Sequence, residues 1–183
     1  MKKIILAFAA VLLISTSFSQ KRYFTKTGNV SFDAGTGLEP VAGINKSSSS
    51  IFDATTGQFE FAVLIKGFEF KSAYMQEHFN ENYMESDKFP KSTFKGKITN
   101  LDKINFSKDG TYPVTVSGTF EMHGVKKEIQ TTGTFKVAGD NVTSNAEFTV
   151  VMEDYKIEIP GLVKDKISKT AAISISCTYT ILK

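Results

Sequence analysis

The sequence predicts an all-β domain of roughly eight antiparallel strands, with one amphipathic helix set among them. Three observations carry that expectation. Apolar and polar residues alternate with a period of two over long stretches of the last two-thirds of the chain, as half-buried strands require. Turn sequences rich in Gly separate the alternating runs, as at His123-Gly124 and Ala138-Gly139-Asp140-Asn141. One segment, 71–87, changes to a helical period, with Met75, Phe79 and Tyr83 at i, i+4, i+8 and Met84 beside them. That pattern reads as an amphipathic helix of three to four turns. Long strands with one apolar face must bury it against a second sheet or by closing on themselves. A helix facing a closed sheet can serve as a plug or lid.

The first residues read as a separate segment. Lys2 and Lys3 precede an uncharged apolar run, 4–14, and small Ser17 and Ser19 stand at the −3 and −1 positions of a cut before Gln20. This is the order of a secretory signal peptide, expected at 1–19, with the domain at 20–183. The apolar run of 11 residues is short of the ~20 that span a bilayer. The expected setting is therefore periplasmic or secreted, with no stable membrane span once the signal is removed. Without Lys2 and Lys3 the chain holds 20 basic and 19 acidic residues, and Arg22 is its only Arg. No cluster of guanidinium groups exists to grip phosphates, so no nucleic-acid partner is expected.

In chain order, Val30 and Phe32 open the first strand, and Gly35-Thr36-Gly37 follows. A short strand at 41–45 leads into the polar run 47–50, which reads as a loop. Phe59, Phe61, Val63 and Ile65 alternate on one face, with Leu64, Phe68 and Phe70 on the other. After the helix, Tyr112, Val114, Val116, Gly118, Phe120 and Met122 share one face. At His123-Gly124 the parity flips, so that Val125, Ile129, Phe135 and Val137 point inward. The two-residue link reads as a tight hairpin, with His123 expected to be exposed. Val142, Ala146, Phe148, Val150 and Met152 continue the inner face after the next turn. The last strand is the most regular, with Ile167, Ala171, Ile173, Ile175, Cys177, Tyr179 and Ile181 on one side. Cys177 reads as a small buried hydrophobe.

Pairing Met122 with Val125 fixes a register that sets Gly133 opposite Val114 and Gly118 opposite Ile129. Carried through the next turn, it sets Gly133 near Ala146. An eight-stranded barrel holds either its own side chains or one small ligand. Small inward residues favour a cavity, or else relieve crowding where strands bend. Both readings stand at this level.

Catalytic and metal chemistry is thinly represented. One Cys allows no intramolecular disulfide and no paired-Cys zinc framework. No HExxH, no GxSxG and no complete dinucleotide loop is present. Glu77, His78, Glu81 and Glu85 lie close along the helix and read as a solvated face. The sequons at Asn29, Asn45, Asn105 and Asn141 read as coincidental. No cofactor is expected.

From the helix onward the chain resembles the YceI-like family of exported bacterial proteins, a lipocalin-like group. The resemblance rests on the helical stretch 75–84 followed by Phe89-Pro90 and by Phe94 opening the next strand. It rests also on the hairpin Gly118-Thr119-Phe120-Glu121-Met122-His123-Gly124-Val125-Lys126-Lys127, and more loosely on 28–32 and 41–45. It implies an eight-stranded antiparallel lipocalin-like barrel, closed or flanked by the helix, with an elongated pocket for an isoprenoid or other long apolar chain. A homodimer is also implied. The His-Ser pair that many members carry before the first strand's aromatic is replaced here by Thr27-Gly28-Asn29, so no head-group preference carries over.

The expected function is a non-enzymatic carrier for a long-chain isoprenoid or fatty-acyl-type lipid. The candidate lining is Phe59, Phe61, Val63, Val114, Val116, Phe120, Ala146, Phe148, Val150, Ile173 and Ile175, with Phe79, Tyr83 and Met84 gating. The alternative is an interaction or structural protein of the envelope with a solid core, since 14 of the 16 Phe lie beyond residue 19.

Overall fold

The computed structural model describes residues 21–37 and 40–182. The expected signal segment lies outside the described residues. Eight strands close into one antiparallel barrel in sequence order: β1 (Arg22–Gly35), β2 (Ala42–Asp53), β3 (Gln58–Leu64), β4 (Lys91–Ile98), β5 (Gly110–Met122), β6 (Val125–Ala138), β7 (Asn141–Val151) and β8 (Ile167–Ile181). Closure follows from the alternation. Each strand has an apolar face to bury, and joining β1 to β8 (Val30 opposite Ile175, Phe32 opposite Ile173) leaves no edge unpaired. The hairpin register is the one the sequence implies, with Met122 opposite Val125, Val114 opposite Gly133 and Gly133 opposite Ala146.

Up-and-down connectivity gives the barrel two unlike ends. At one end, Tyr23, Phe52, Phe135 and Tyr179 fill the interior. The Tyr23 and Phe52 rings stack at 4.9 Å, as do Phe52 and Phe135. Phe106, from the loop between β4 and β5, caps the group 5.6 Å from Tyr23. Each such ring buries a large apolar area and adds ~0.5–1.5 kcal/mol per well-placed pair. At the other end stand the long connections, the β3–β4 segment and the β7–β8 loop, which roof the barrel rather than fill it.

Four local expectations are corrected. The first strand begins at Arg22, well before Val30. The Ser run is not a loop but the middle of β2. Its buried members have partners: the Ser50 hydroxyl donates to the Glu60 carbonyl at 2.8 Å and accepts from the Tyr179 hydroxyl at 3.0 Å. Fully buried Asn45 donates to the Leu64 carbonyl at 2.9 Å and accepts from the Ser47 N–H. Satisfied polar groups can occupy an inner strand face at little cost.

Leu64, Phe68 and Phe70 do not share a face. Leu64 points to solvent, whereas a 3-10 turn at Ile65–Gly67 redirects the chain and buries Phe68. The helix is also shorter than its periodicity implied. Helix α1 (Ala73–His78) starts at Ser72, whose hydroxyl accepts from Met75 N–H, and passes into a π-helical turn at Phe79–Tyr83. The wider turn holds Met84 N–H to the Phe79 carbonyl at 2.9 Å. It brings Met84 round to the side of Phe79 and Tyr83 that faces the barrel, where a regular α-helix would turn it well away from them.

Candidate ligand cavity

Between the packed end and the roof lies a cavity of about 700 Å³, within the ~300–1,000 Å³ range of small-molecule sites. All fourteen residues singled out in the sequence stand on its wall. Phe59, Phe61 and Val63 come from β3, Val114, Val116 and Phe120 from β5, Ala146, Phe148 and Val150 from β7, and Ile173 and Ile175 from β8. The period of two explains this grouping, because alternate residues of one strand must point the same way. Phe79, Tyr83 and Met84 come down from the roof. Phe59, Phe61, Val116, Phe120, Phe148, Ile173 and Ile175 point inward yet are only partly buried. Their exposed surface faces the void, so the available side chains do not fill this half of the barrel.

The sequence reading missed several wall residues. Phe32, Phe68 and Phe70 surround Phe79, with Phe32 stacked on it at 5.1 Å and Phe70 tilted against it at 4.9 Å. Phe32 alternates with Val30 and was legible by parity; Phe68 and Phe70 follow a turn that parity cannot carry across. Phe94, Met122, Ile157 and Leu162 also contribute. The last two lie on the β7–β8 loop, which has no periodic signal. The mouth is apolar as well: Tyr74 is 69% and Leu162 99% exposed beside it. His78, whose Nδ1 lies 2.7 Å from Asn82 Nδ2, and Lys166 add polar groups at the rim.

The glycines act differently from a simple widening of the interior. Gly96 and Gly118 face each other across β4 and β5. A Cβ on Gly118 would lie 2.3 Å from the Lys95 carbonyl oxygen, and one on Gly133 2.4 Å from that of Asn145. These positions are bare because neighbouring backbones approach closely where the sheet bends. Crowding relief accounts for Gly118 and Gly133, while the cavity arises from the layer of side chains above them.

His123 is buried rather than exposed, and Glu85 is engaged rather than freely solvated. The His123 ring reaches the Tyr155 carbonyl oxygen through Nδ1 and a Glu85 carboxylate oxygen through Nε2, each at 2.9 Å. This contact, first, and then Lys88 hold the Glu85 carboxyl below the usual carboxylate range. Burial pushes the Tyr83 phenol up, Tyr74 adding to the effect. Among the described residues no group of three or more His, Cys, Asp or Glu is placed to hold a metal ion. No helix among them is long and apolar enough to cross a membrane.

The YceI-like domain profile matches residues 23–179, nearly the whole barrel. The chain belongs to the YceI-like family. No curated protein sequence matches it. Among solved structures, this YceI-like barrel resembles a polyisoprenoid binding domain from Saccharophagus degradans implicated in plant cell wall breakdown. The TM-score is 0.76 at 14% identity, covering 89% of this chain and 99% of that one. It also resembles Burkholderia cenocepacia BcnA, with a TM-score of 0.66 at 14% identity over 82% and 95% of the two chains. A Campylobacter jejuni YCEI protein aligns over 100% and 99% with a TM-score of 0.56 at 14% identity. At these identities the likeness establishes a common YceI-like barrel.

Proposed function

We propose that this protein is an exported, non-enzymatic carrier that holds one long-chain apolar lipid, polyisoprenoid-like in character, inside the open half of its barrel. The observation that carries the reading is the unfilled, almost wholly apolar wall, where inward Phe, Ile and Val side chains leave surface facing an empty space. Each buried CH₂ equivalent of a ligand gains ~0.8 kcal/mol by transfer from water. Ten of them gain ~8 kcal/mol, against association costs of several kcal/mol. The polyisoprenoid class is supported by the likeness to the Saccharophagus degradans polyisoprenoid binding domain. Export is supported by the basic, apolar and small-residue order of positions 1–19.

The competing reading of a solid-cored interaction protein needs the interior to be full. The packed end meets that condition and the open half does not. Native mass spectrometry of the protein purified under lipid-retaining conditions tests the carrier. A mass above that of the polypeptide, lost on adding organic solvent, is the expected result. A bare polypeptide mass, together with no uptake of a prenol or fatty acid offered in excess, overturns it.

A further inference from the structure

The roof is pinned by a histidine whose two ring nitrogens both meet acceptors. His123 sits in the β5–β6 turn at φ +50°, with the Phe89 ring 4.6 Å away, next to Gly124, where a Cβ would lie 2.5 Å from that ring. Nδ1 faces the Tyr155 backbone carbonyl and Nε2 faces the Glu85 carboxylate. A neutral imidazole has one N–H and one lone pair, and an imidazolium has two N–H donors. Only the protonated ring satisfies both contacts; the neutral ring sets a lone pair against an oxygen at one of them. The three elements so joined are the β5–β6 hairpin, the β7–β8 loop through Tyr155, and, through Glu85, the end of the lid, the segment 73–89 that holds α1 and the π-helical turn. Glu85 directly follows Met84, one of the lid residues on the cavity wall.

We propose that His123 is a proton-dependent latch: protonated, it ties the lid end to the two neighbouring loops, and loss of its proton frees the lid and speeds exchange of the bound ligand. The charged and titratable groups around it come from each packed element. From the lid, Lys88 Nζ lies 3.5 Å from the other Glu85 oxygen and also sits over the Phe89 ring. From the β7–β8 loop, the Tyr155 ring has Lys127 above it, and Lys127 pairs with Asp154 at 2.7 Å. On the hairpin, Lys126 pairs with Glu121 at 3.7 Å. None of these groups offers Nδ1 or Nε2 a donor in place of its acceptor. The latch holds while the imidazole is charged and Glu85 is ionised. It is therefore lost when the ring gives up that proton, and at the acid end only below the usual carboxylate range.

The lid part of the inference stands on geometry alone, and the ligand-exchange part rests on the carrier reading. Two measurements on the ligand-free mature chain test the first part. Nitrogen-15 spectra of His123 at about pH 5.5 are expected to show both ring nitrogens protonated; a single neutral tautomer there overturns the latch. Hydrogen exchange at 79–89, corrected for the intrinsic pH effect, is expected to be on the order of tenfold faster at about pH 8.5 than at about pH 5.5. His123→Asn, which tolerates the positive φ, and Glu85→Ala, at a half-exposed site, should each raise exchange at the lower pH and remove the difference. Equal protection of the wild type at both pH values overturns the proposal.

For the second part, release of a dansyl-labelled fatty acid into excess unlabelled vesicles should quicken with the same pH dependence. Unchanged release with a freed lid overturns the gating role. No probe binding with the exchange difference intact overturns the carrier reading and supports the latch.

Discussion

Two small residues that face each other on neighbouring strands have opposite jobs. Ala146 and Gly133 are register partners and both stand on the cavity wall. Enlarging Ala146 adds atoms to the void. Enlarging Gly133 first drives a Cβ to 2.4 Å from a backbone oxygen. Ala146→Leu is therefore expected to block uptake of a prenol or fatty-acid probe while moving the urea midpoint little. Gly133→Leu should cost ~1–3 kcal/mol or more in the same urea titration. Equal stability losses in the two variants would mean that the cavity cannot accept the added carbons.

Cys177 shows the same contrast at the packed end. It is 1% exposed, and burial pushes its thiol up to about 11, hydrogen bonds to Tyr179 and Ser144 pulling weakly the other way. Because the folded state holds the proton more tightly, this stabilising contribution is full below the unfolded thiol's value of ~8.5. It is lost as pH rises from there toward about 11. A disulfide reagent at about pH 8 should react with Cys177 only as fast as the protein opens, the rate rising with denaturant. Rapid labelling of the native protein would contradict this burial.

At the scale of elements, the lid is the part least legible beforehand. Strands announce themselves by parity: Val114, Val116 and Phe120, or Phe148 and Val150, could be placed on one face from spacing alone. The hairpin register, including Gly133 opposite both Val114 and Ala146, also followed from one turn. What spacing could not show was any change of direction or pitch. The 3-10 turn before Phe68, the π-helical turn after His78 and the strand conformation of the Ser run in β2 each depend on long-range partners: the barrel wall, the Phe32 ring and the Tyr179 hydroxyl. His123 was misread for the same reason, since a turn residue is exposed until another loop folds over it.

Phe79 is the lid's main anchor, touching the Phe32, Phe68 and Phe70 rings. Phe79→Ala is expected to leave the strands intact by far-ultraviolet circular dichroism. It should speed probe release at least tenfold, as loss of a large apolar contact of ~3 kcal/mol or more implies. Unaltered release would place the exit elsewhere than under the helix.

For the molecule as a whole, one barrel contains two different interiors. The packed end concentrates interlocked rings, including Phe52 in contact with Tyr23, Phe106, Phe135 and Tyr179. The open end replaces such contacts with empty volume. Native-state hydrogen exchange should accordingly be graded along each strand, slowest around Phe52, Phe135 and Tyr179 and faster toward Val63, Met122 and Val150. A uniform profile would indicate that the void costs the open half no local stability. Of the six large apolar residues that remain exposed among the described residues, five, Ile44, Leu64, Tyr74, Val151 and Leu162, lie in the open half, on the strand ends and connections around the mouth.

The arrangement of the chain ends adds a practical consequence. Leu182 N–H donates to the Arg22 carbonyl at 2.8 Å, so both described ends leave the barrel side by side from its packed pole. A fluorescent reporter or a surface tether joined at Lys21 or Leu182 will stand a full strand length from the entrance. Coupling to a surface at Leu182 thus leaves the cavity mouth directed outward.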